Sequence, residues 1–288
     1  MRVYIQSFPQ GRFPIPDYCA HHLQNVMRVK DGAVILIFNE RQGEFEAVIR
    51  GRNIVPTKQI KQGISRPGAQ EFSRKYYLAF SPLKNQHLVH FIIEKATELG
   101  VTNIQPMIME RTQGHRSGDI NIEKWRKIAI NAAEQCERLS IPEVAAPVAL
   151  RDFVDELTSQ AAYDSRAVNG HAEKDGEPVR PAEMVWLWCV ERSSGTSGET
   201  SGGEPRDVFS AVNSFGIADV IKKNVFPAHK AVGLIIGPEG GFSEQDRRLL
   251  ETKENVHKVS LGNLVLRSET AAICALANVM ALVEWERD

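Results

Sequence analysis

Apolar and polar positions change their period once along this chain. Up to about residue 70 the pattern is that of strands. Ala33-Val-Ile-Leu-Ile-Phe38 is a short apolar run bounded by Asp31-Gly32 and Asn39, and Phe45, Ala47 and Ile49 then alternate with polar residues up to Gly51, broken by Val48. A turn over Arg41–Glu44 joins them as a hairpin. The pattern predicts a small β-barrel with one short helix near Tyr18–Met27.

From Tyr76 the rhythm becomes strand, helix, strand, helix. Tyr76–Phe80 reads as a strand and Gln86–Leu99 as a helix with Leu88, Phe91, Ile92, Ala96 and Leu99 on one face, ended by Gly100. Val101–Met109 is the next strand, interrupted by Pro106. Glu123–Leu139 is a second amphipathic helix burying Trp125, Ile128, Ala129, Ala132, Ala133, Cys136 and Leu139. Such alternation predicts α/β layering over a largely parallel sheet. Buried strands follow at Val185–Val190, Ala231–Ile236 and Val256–Leu261. A final helix over Ala271–Glu286 is apolar on nearly every side, so the rest of its domain or a second subunit must cover it. Two polar stretches, about 164–184 and 192–206, lack the apolar surface to offset chain entropy and are read as surface insertions.

Composition bounds the class. The chain has 288 residues, 42% hydrophobic and 25% charged, with a formal net charge of −1, which excludes a disordered chain, a collagen and a disulfide mini-protein. Cys19, Cys136, Cys189 and Cys274 lie far apart with no C-x-x-C pair, so neither the common zinc signatures nor a thioredoxin-type motif is present, and no metal is expected. Pro9, Pro14 and Pro16 interrupt any signal-peptide core, and the longest apolar stretch, Thr270–Val283, is too short to span a bilayer. A reduced, soluble, cytoplasmic protein is expected.

The charge is unevenly spread. Residues 1–75 carry 12 Lys/Arg against 6 Asp/Glu, and the remainder 23 against 30. Within Arg50–Lys75, seven basic side chains face only Glu71. Such a bias fits a module that touches a polyanion, and it fits equally a solvated basic surface.

The chemistry concentrates near the C-terminus. Strand Ala231–Ile236 runs directly into Gly237-Pro-Glu-Gly-Gly241 and then a helix whose Ser243 and Asp246 have the spacing of a capping box. A glycine-rich turn between strand and helix brings backbone N–H groups up to a ligand, although an ordinary tight turn has the same form. It lacks the Gly-Lys-Ser/Thr of a P-loop and the G-x-G-x-x-G spacing, which disfavours nucleoside triphosphates and NAD.

These residues carry a family resemblance. Ile-Ile-Gly-Pro-Glu-Gly-Gly-Phe-Ser-Glu at 235–244, with Leu-Gly-x-x-Val-Leu-Arg-Ser-Glu-Thr-Ala at 261–271, resembles the knotted SPOUT methyltransferases and within them the ribosomal RNA small subunit methyltransferase E family. The likeness extends through His22–Arg28, Glu94–Val101, Pro106–Arg111 and Trp125–Pro142, omitting only the polar insertions. It implies an α+β chain of two domains: a PUA-like RNA-binding β-barrel over 1–73, and an α/β domain over 74–288 with a deep C-terminal trefoil knot, an exception to the rule against knots. It further implies a homodimer that methylates N3 of a uridine in 16S small-subunit ribosomal RNA, free or in the assembled subunit, using S-adenosylmethionine. Related possibilities are a SPOUT enzyme acting on another RNA target such as a ribose 2′-hydroxyl, and an inactive RNA-binding ribosome-assembly factor.

By motif, the resemblance places the cofactor against Ile236, Gly237, Pro238, Glu239 and Gly240, then Leu261, Gly262 and Leu266. N3 of uridine lies on the Watson–Crick edge, so the base must be unpaired or flipped. Loss of its proton spreads negative charge over the imide oxygens, which a fixed arginine stabilises. Arg267 is the candidate, with Glu269 either orienting it or capping the last helix. Arg12, Arg28, Arg111, Gln135 and Arg138 are candidate RNA contacts. Gln135 and Arg138 share a helix face by spacing, with Arg138 otherwise paired to Glu134. The His21-His22 pair is read as structural. The chain departs from the family at Asn263-Leu264, where Pro-Arg is usual, and at Ser268, where threonine is usual.

Overall fold

The computed structural model describes residues 1–21, 23, 27–64, 71–114, 118, 120–157, 183–190, 215–224 and 231–285. The expectations for His22, for the His21 side chain and for nearly all of the two polar stretches lie outside them. The chain forms two compact units: Met1–Ser73 with Lys127–Ile141, and Arg74–Arg126 with Pro142–Asp288.

In the first unit, β1 (Arg2–Tyr4), β2 (Phe13–Pro14), α1 (Asp17–His21), β3 (Val34–Asn39), β4 (Gly43–Arg50) and β5 (Asn53–Gln62) build a five-stranded sheet in the order β1-β3-β4-β5-β2. The expected hairpin is β3–β4, in register from Val34↔Val48 to Asn39↔Gly43. Its turn is closed by Asn39: Gln42 N donates to Asn39 Oδ1 (2.7 Å), and Asn39 Nδ2 donates to Ile5 O (2.9 Å). Alternation buries Ile35 and Ile37 while Val34 stays exposed. Ile5, Leu23, Ala47, Ile49 and Ile54 complete that core. The strand over Asn53–Gln62 was not legible in the pattern, because its outer six residues are exposed and mostly polar.

Lys127–Ile141 belongs to this unit because Arg2 reaches it. Arg2 pairs with the buried Glu44 and donates to Ala133 O (2.7 Å) and Arg138 O (2.8 Å), while Tyr4 N donates to Glu134 Oε1 (2.9 Å). A guanidinium has enough donors to satisfy a carboxylate, a helix-end carbonyl and a carbonyl of the segment that follows at once.

The second unit holds β6 (Lys75–Phe80), α2 (Gln86–Glu98), β7 (Asn103–Ile108), α3 (Ile122–Gln135), β8 (Glu143–Val144), β9 (Val148–Ala149), α4 (Leu150–Glu156), β10 (Met184–Cys189), β11 (Phe215–Gly216), α5 (Ile217–Asn224), β12 (Ala231–Ile236), α6 (Glu244–Glu251), β13 (Val256–Ser260) and α7 (Ser268–Met280); of α3, only the residues up to Arg126 fall in this unit. The sheet order is β11-β13-β10-β12-β6-β7-β8, with β9 beside β7, and every pairing is parallel.

Two expectations change in detail. The buried stripe of α2 is Val89, Ile92, Ile93 and Ala96 rather than one through Leu88 and Phe91, and Phe91 is exposed. The helix is apolar over a wide arc, so periodicity alone left its angular setting open. The second amphipathic helix stops at Gln135 instead of running to Leu139; Glu137 takes φ +60°, which no helix accommodates.

The sheet core rests on Trp186 and Trp188. Phe153 meets Trp186 edge-on at 5.1 Å between centroids, and Trp188 meets Phe242 in the same way at 5.4 Å. Gly233 on β12 makes room: a Cβ there would lie 2.2 Å from the Trp186 ring. On α7, Ala272, Ala275, Leu276, Val279 and Met280 are buried, covered in part by α2 and α5. A π turn, Ala281–Trp285, extends α7, and Tyr76 Oη bonds Glu284 Oε1 within it at 2.7 Å. Among the described residues, no helix is long and apolar enough to cross a membrane.

Candidate active site

Strands β13, β10 and β12 are neighbours and parallel, so their carboxyl ends emerge side by side. That edge of a parallel sheet is where ligands bind in open α/β folds. A cleft of about 580 Å³, counting its open mouth, forms there. Its floor is Cys189-Val190 after β10, Ile236-Gly237-Pro238 after β12 and Leu261-Gly262 after β13. Leu264, Val265 and Leu266 form one rim, and Ser268 and Ala271 at the start of α7 close it.

The glycine-rich turn is held from both sides. Behind it, Phe242 sits against Gly237 and on Trp188. After it, Ser243 and Asp246 make the expected capping box: Asp246 N donates to Ser243 Oγ (3.1 Å) and Ser243 N to Asp246 Oδ2 (2.9 Å). Both residues are buried, so the start of α6 is fixed.

The residues named from the sequence divide. Ile236, Gly237, Pro238, Leu261, Gly262 and Leu266 line the cleft. Glu239 and Gly240 do not; they face outward, where Lys84 N donates to Glu239 Oε2 (3.4 Å) and Arg111 donates to Gly240 O (3.1 Å). Arg267 is exposed, N-caps α7 with no side-chain capping bond, and has no acidic partner among the described residues. Glu269 stands in the first turn of α7 and, among the described residues, makes no ion pair with Arg267. In the turn's favourable field, a carboxylate stabilises the helix start.

Arg12 and Arg28 are exposed on the first unit, Arg28 at φ +50°. Gln135 is exposed at the end of α3. Arg138 does not share its face. It lies beyond the helix and is buried, with its guanidinium bonded to Ser140 Oγ (2.8 Å), 5.1 Å over the Phe72 ring and paired with Glu71. Burial pulls its ionisation downward and Glu71 opposes that. Glu71 also accepts from Leu139 N (2.6 Å) and Ser140 N (3.0 Å). Glu134, the other expected partner of Arg138, accepts from Tyr4 N through Oε1.

Sequence reasoning missed Phe242, Arg247 and the Cys189-Val190 floor. Chain order hides that β10 lies between β12 and β13, so the floor had no local signal. Arg247 reads as an ordinary surface residue of a charged helix. Among the described residues, no group of three His, Cys, Asp or Glu side chains could hold a metal ion. The cleft's chemistry suits a neutral heterocycle and a short carbon chain: its lining is mainly glycine, leucine, isoleucine and valine.

The family model described as an RNA methyltransferase domain matches residues 70–182 and 210–280, and that of an RNA methyltransferase PUA domain matches residues 20–54. Among curated proteins, the chain is 30% identical over 264 residues to ribosomal RNA small subunit methyltransferase E of Synechocystis, covering 92% of this chain and 71% of that one. It is 27% identical to the Rickettsia conorii protein of the same name, covering 98% and 95%. Among solved structures, a Legionella pneumophila methyltransferase in complex with SAM is similar, at TM-score 0.70 and 28% identity over 97% of this chain and 96% of that one. The fold is shared with the Neisseria gonorrhoeae ribosomal RNA small subunit methyltransferase E bound to S-adenosyl methionine, at TM-score 0.69 and 23% identity over 98% and 97%.

Proposed function

The chain belongs to the ribosomal RNA small subunit methyltransferase E family, and from that membership we propose that it methylates N3 of a uridine in 16S ribosomal RNA. The observation that carries this reading is the cleft: two sequence-distant segments, 236–238 and 261–271, line one pocket at the carboxyl ends of adjacent parallel strands. S-adenosylmethionine is the cofactor, and when bound it supplies an electrophilic methyl group. The chain's own residues hold it. Gly237 and Gly262 admit backbone to close approach, and Ile236, Leu261 and Leu266 enclose its apolar parts.

Arg267, beside Leu266 and Ser268 of the cleft, stabilises the negative charge of the deprotonated imide. Glu269 steadies the first turn of α7 beneath it. Most of the acceleration comes from alignment of the reactants rather than from a dedicated base, and the N3 proton passes to solvent water as the N3–CH3 bond forms and the S–CH3 bond breaks. The basic first unit, residues 1–73, is a PUA-like barrel that grips RNA phosphates through Arg12 and Arg28. Arg111 and Gln135 are further contacts for the RNA. The buried guanidinium of Arg138 fixes the segment after α3 rather than meeting RNA directly. The α/β domain over 74–288 is knotted and pairs in a homodimer, and the enzyme works in the cytoplasm on ribosomal RNA or the assembled small subunit.

Mass mapping of ribosomal RNA from a strain lacking this protein tests the substrate. One small-subunit uridine should lose a base methyl group and regain it with the wild-type gene. An unchanged methylation map, or loss of a ribose methyl instead, would sink the N3 reading.

A further inference from the structure

Among the described residues, one charged side chain lines the cleft. Of the described residues that line it, all but Arg247 are glycine, apolar, cysteine or serine. Arg247 stands on the first full turn of α6, its N–H bonded to Ser243 O at 3.0 Å. Its side chain is partly buried and folds back, so that Nε donates to Phe242 O at 3.4 Å. Phe242 is itself clamped between Trp188 and Gly237. The stem is therefore held, and the terminal nitrogens have no partner among the described residues.

The carboxylates of the same helix are all engaged elsewhere. Asp246 is turned into the N-cap, Glu244 pairs with Arg248 (3.3 Å), and Glu251 pairs with Lys258. An arginine held at the wall of an apolar cleft, with its own helix's acids spoken for, has no counter-charge among the described residues. In such a setting a planar anion is bound more firmly than at an exposed surface.

We propose that Arg247 binds the α-carboxylate of S-adenosylmethionine and so fixes which way the cofactor lies in the cleft. The inference rests on the cleft being the cofactor site. S-adenosylmethionine carries one anionic group, that carboxylate, together with an ammonium and a sulfonium that the guanidinium repels. Adenine and the carbon chain match the apolar walls, so the carboxylate alone complements Arg247. Placing it at α6 directs the sulfonium away from the Arg247 guanidinium.

Calorimetric titration of the full chain with three ligands tests this: S-adenosylmethionine, S-adenosylhomocysteine, and decarboxylated S-adenosylmethionine. The wild type should bind the first two and bind the decarboxylated compound roughly 10- to 100-fold more weakly. Arg247→Ala should weaken both carboxylate-bearing ligands by a similar factor and leave the decarboxylated one unchanged, which also certifies that the variant is folded. Arg247→Lys should restore part of the loss. Equal weakening of all three ligands, or none, overturns the proposal. So does a variant with normal cofactor affinity and reduced RNA affinity, which would assign the cation to a phosphate. Failure of the wild type to bind any of the three would instead remove the cofactor reading of the cleft.

Discussion

Phe242 packs against Gly237 so closely that a Cβ at position 237 would come within 2.7 Å of its Cε2 and 3.0 Å of its Cδ2. The ring cannot retreat freely, because its other contact is the edge of buried Trp188. One glycine thus sets both the shape of the turn and the seat of the aromatic behind it.

Gly237→Ala should consequently displace the cleft wall. Overpacking of this kind costs about 1 to 3 kcal/mol. The expected outcome is a lower unfolding midpoint together with at least a tenfold loss of S-adenosylmethionine affinity by calorimetry. Gly237→Ala combined with Phe242→Leu should recover much of the stability, and a double variant no better than the single one would refute the clash.

Glu71 is the hub of a buried polar cluster in the first unit. It accepts from Leu139 N and Ser140 N, bonds the Ser140 hydroxyl and pairs with buried Arg138. Glu71→Ala removes the largest counter-charge acting on that guanidinium, with the Glu40 carboxylate still acting on it, at a cost of about 3 kcal/mol. For a chain of this size the unfolding midpoint should fall by roughly 5 °C. A neutral effect in a thermal scan would show that Arg138 is satisfied without it.

That cluster also shows where sequence pattern runs out. Spacing put Arg138 on a helix beside Gln135, since Trp125 through Leu139 keep an unbroken helical period. The chain leaves the helix after Gln135 because partners far away in sequence, Arg2 and Glu71, compete for its last carbonyls and for Arg138. Local periodicity carries no record of such partners. The hairpin and the capped α6 were legible because each depends on neighbours within a few residues, and the α/β layering because strand and helix periods alternate along the chain. Six of the eight predicted cofactor positions line the cleft for the same reason: the two motifs encode the turns themselves. Glu239 and Gly240 point the other way because a tight turn must present some residues outward, and Arg247 was invisible until Phe242 gave its side chain a direction.

The cysteines give a pH dependence with a definite sign. Burial pushes the Cys189 thiol up to about 12 and that of Cys19 up to about 11. In the unfolded chain both ionise near ~8.5. Their contribution to stability is therefore complete below about pH 8.5 and is lost as pH rises toward the folded values. Denaturant titrations between pH 8 and 10 should show stability falling with pH, less steeply in Cys189→Ala. At pH 8.5 iodoacetamide should label exposed Cys136 first, with Cys19 and Cys189 labelled only at the rate of unfolding. Rapid labelling of Cys189 in the native protein would contradict its burial at the cleft floor.

Arg267 supplies the sharpest separation of binding from chemistry. It is exposed, does not line the cleft itself, and has no acidic partner among the described residues, whereas its neighbours Leu266 and Ser268 do line it. Arg267→Ala should leave S-adenosylmethionine affinity within about twofold. Methyl transfer to small-subunit RNA should fall by roughly 10²- to 10³-fold, as when one preorganised donor to a developing anion is removed. Arg267→Lys keeps the charge but loses the planar fork, so it should recover only part of the rate. Glu269→Gln makes the complementary case: with no bond to Arg267 it should lower kcat by no more than a few-fold and cost about 0.5 kcal/mol of helix stability. Single-turnover transfer measured beside calorimetric binding separates the two effects. If Arg267→Ala lost affinity and rate in equal proportion, the guanidinium would belong to the cofactor site and not to the imide.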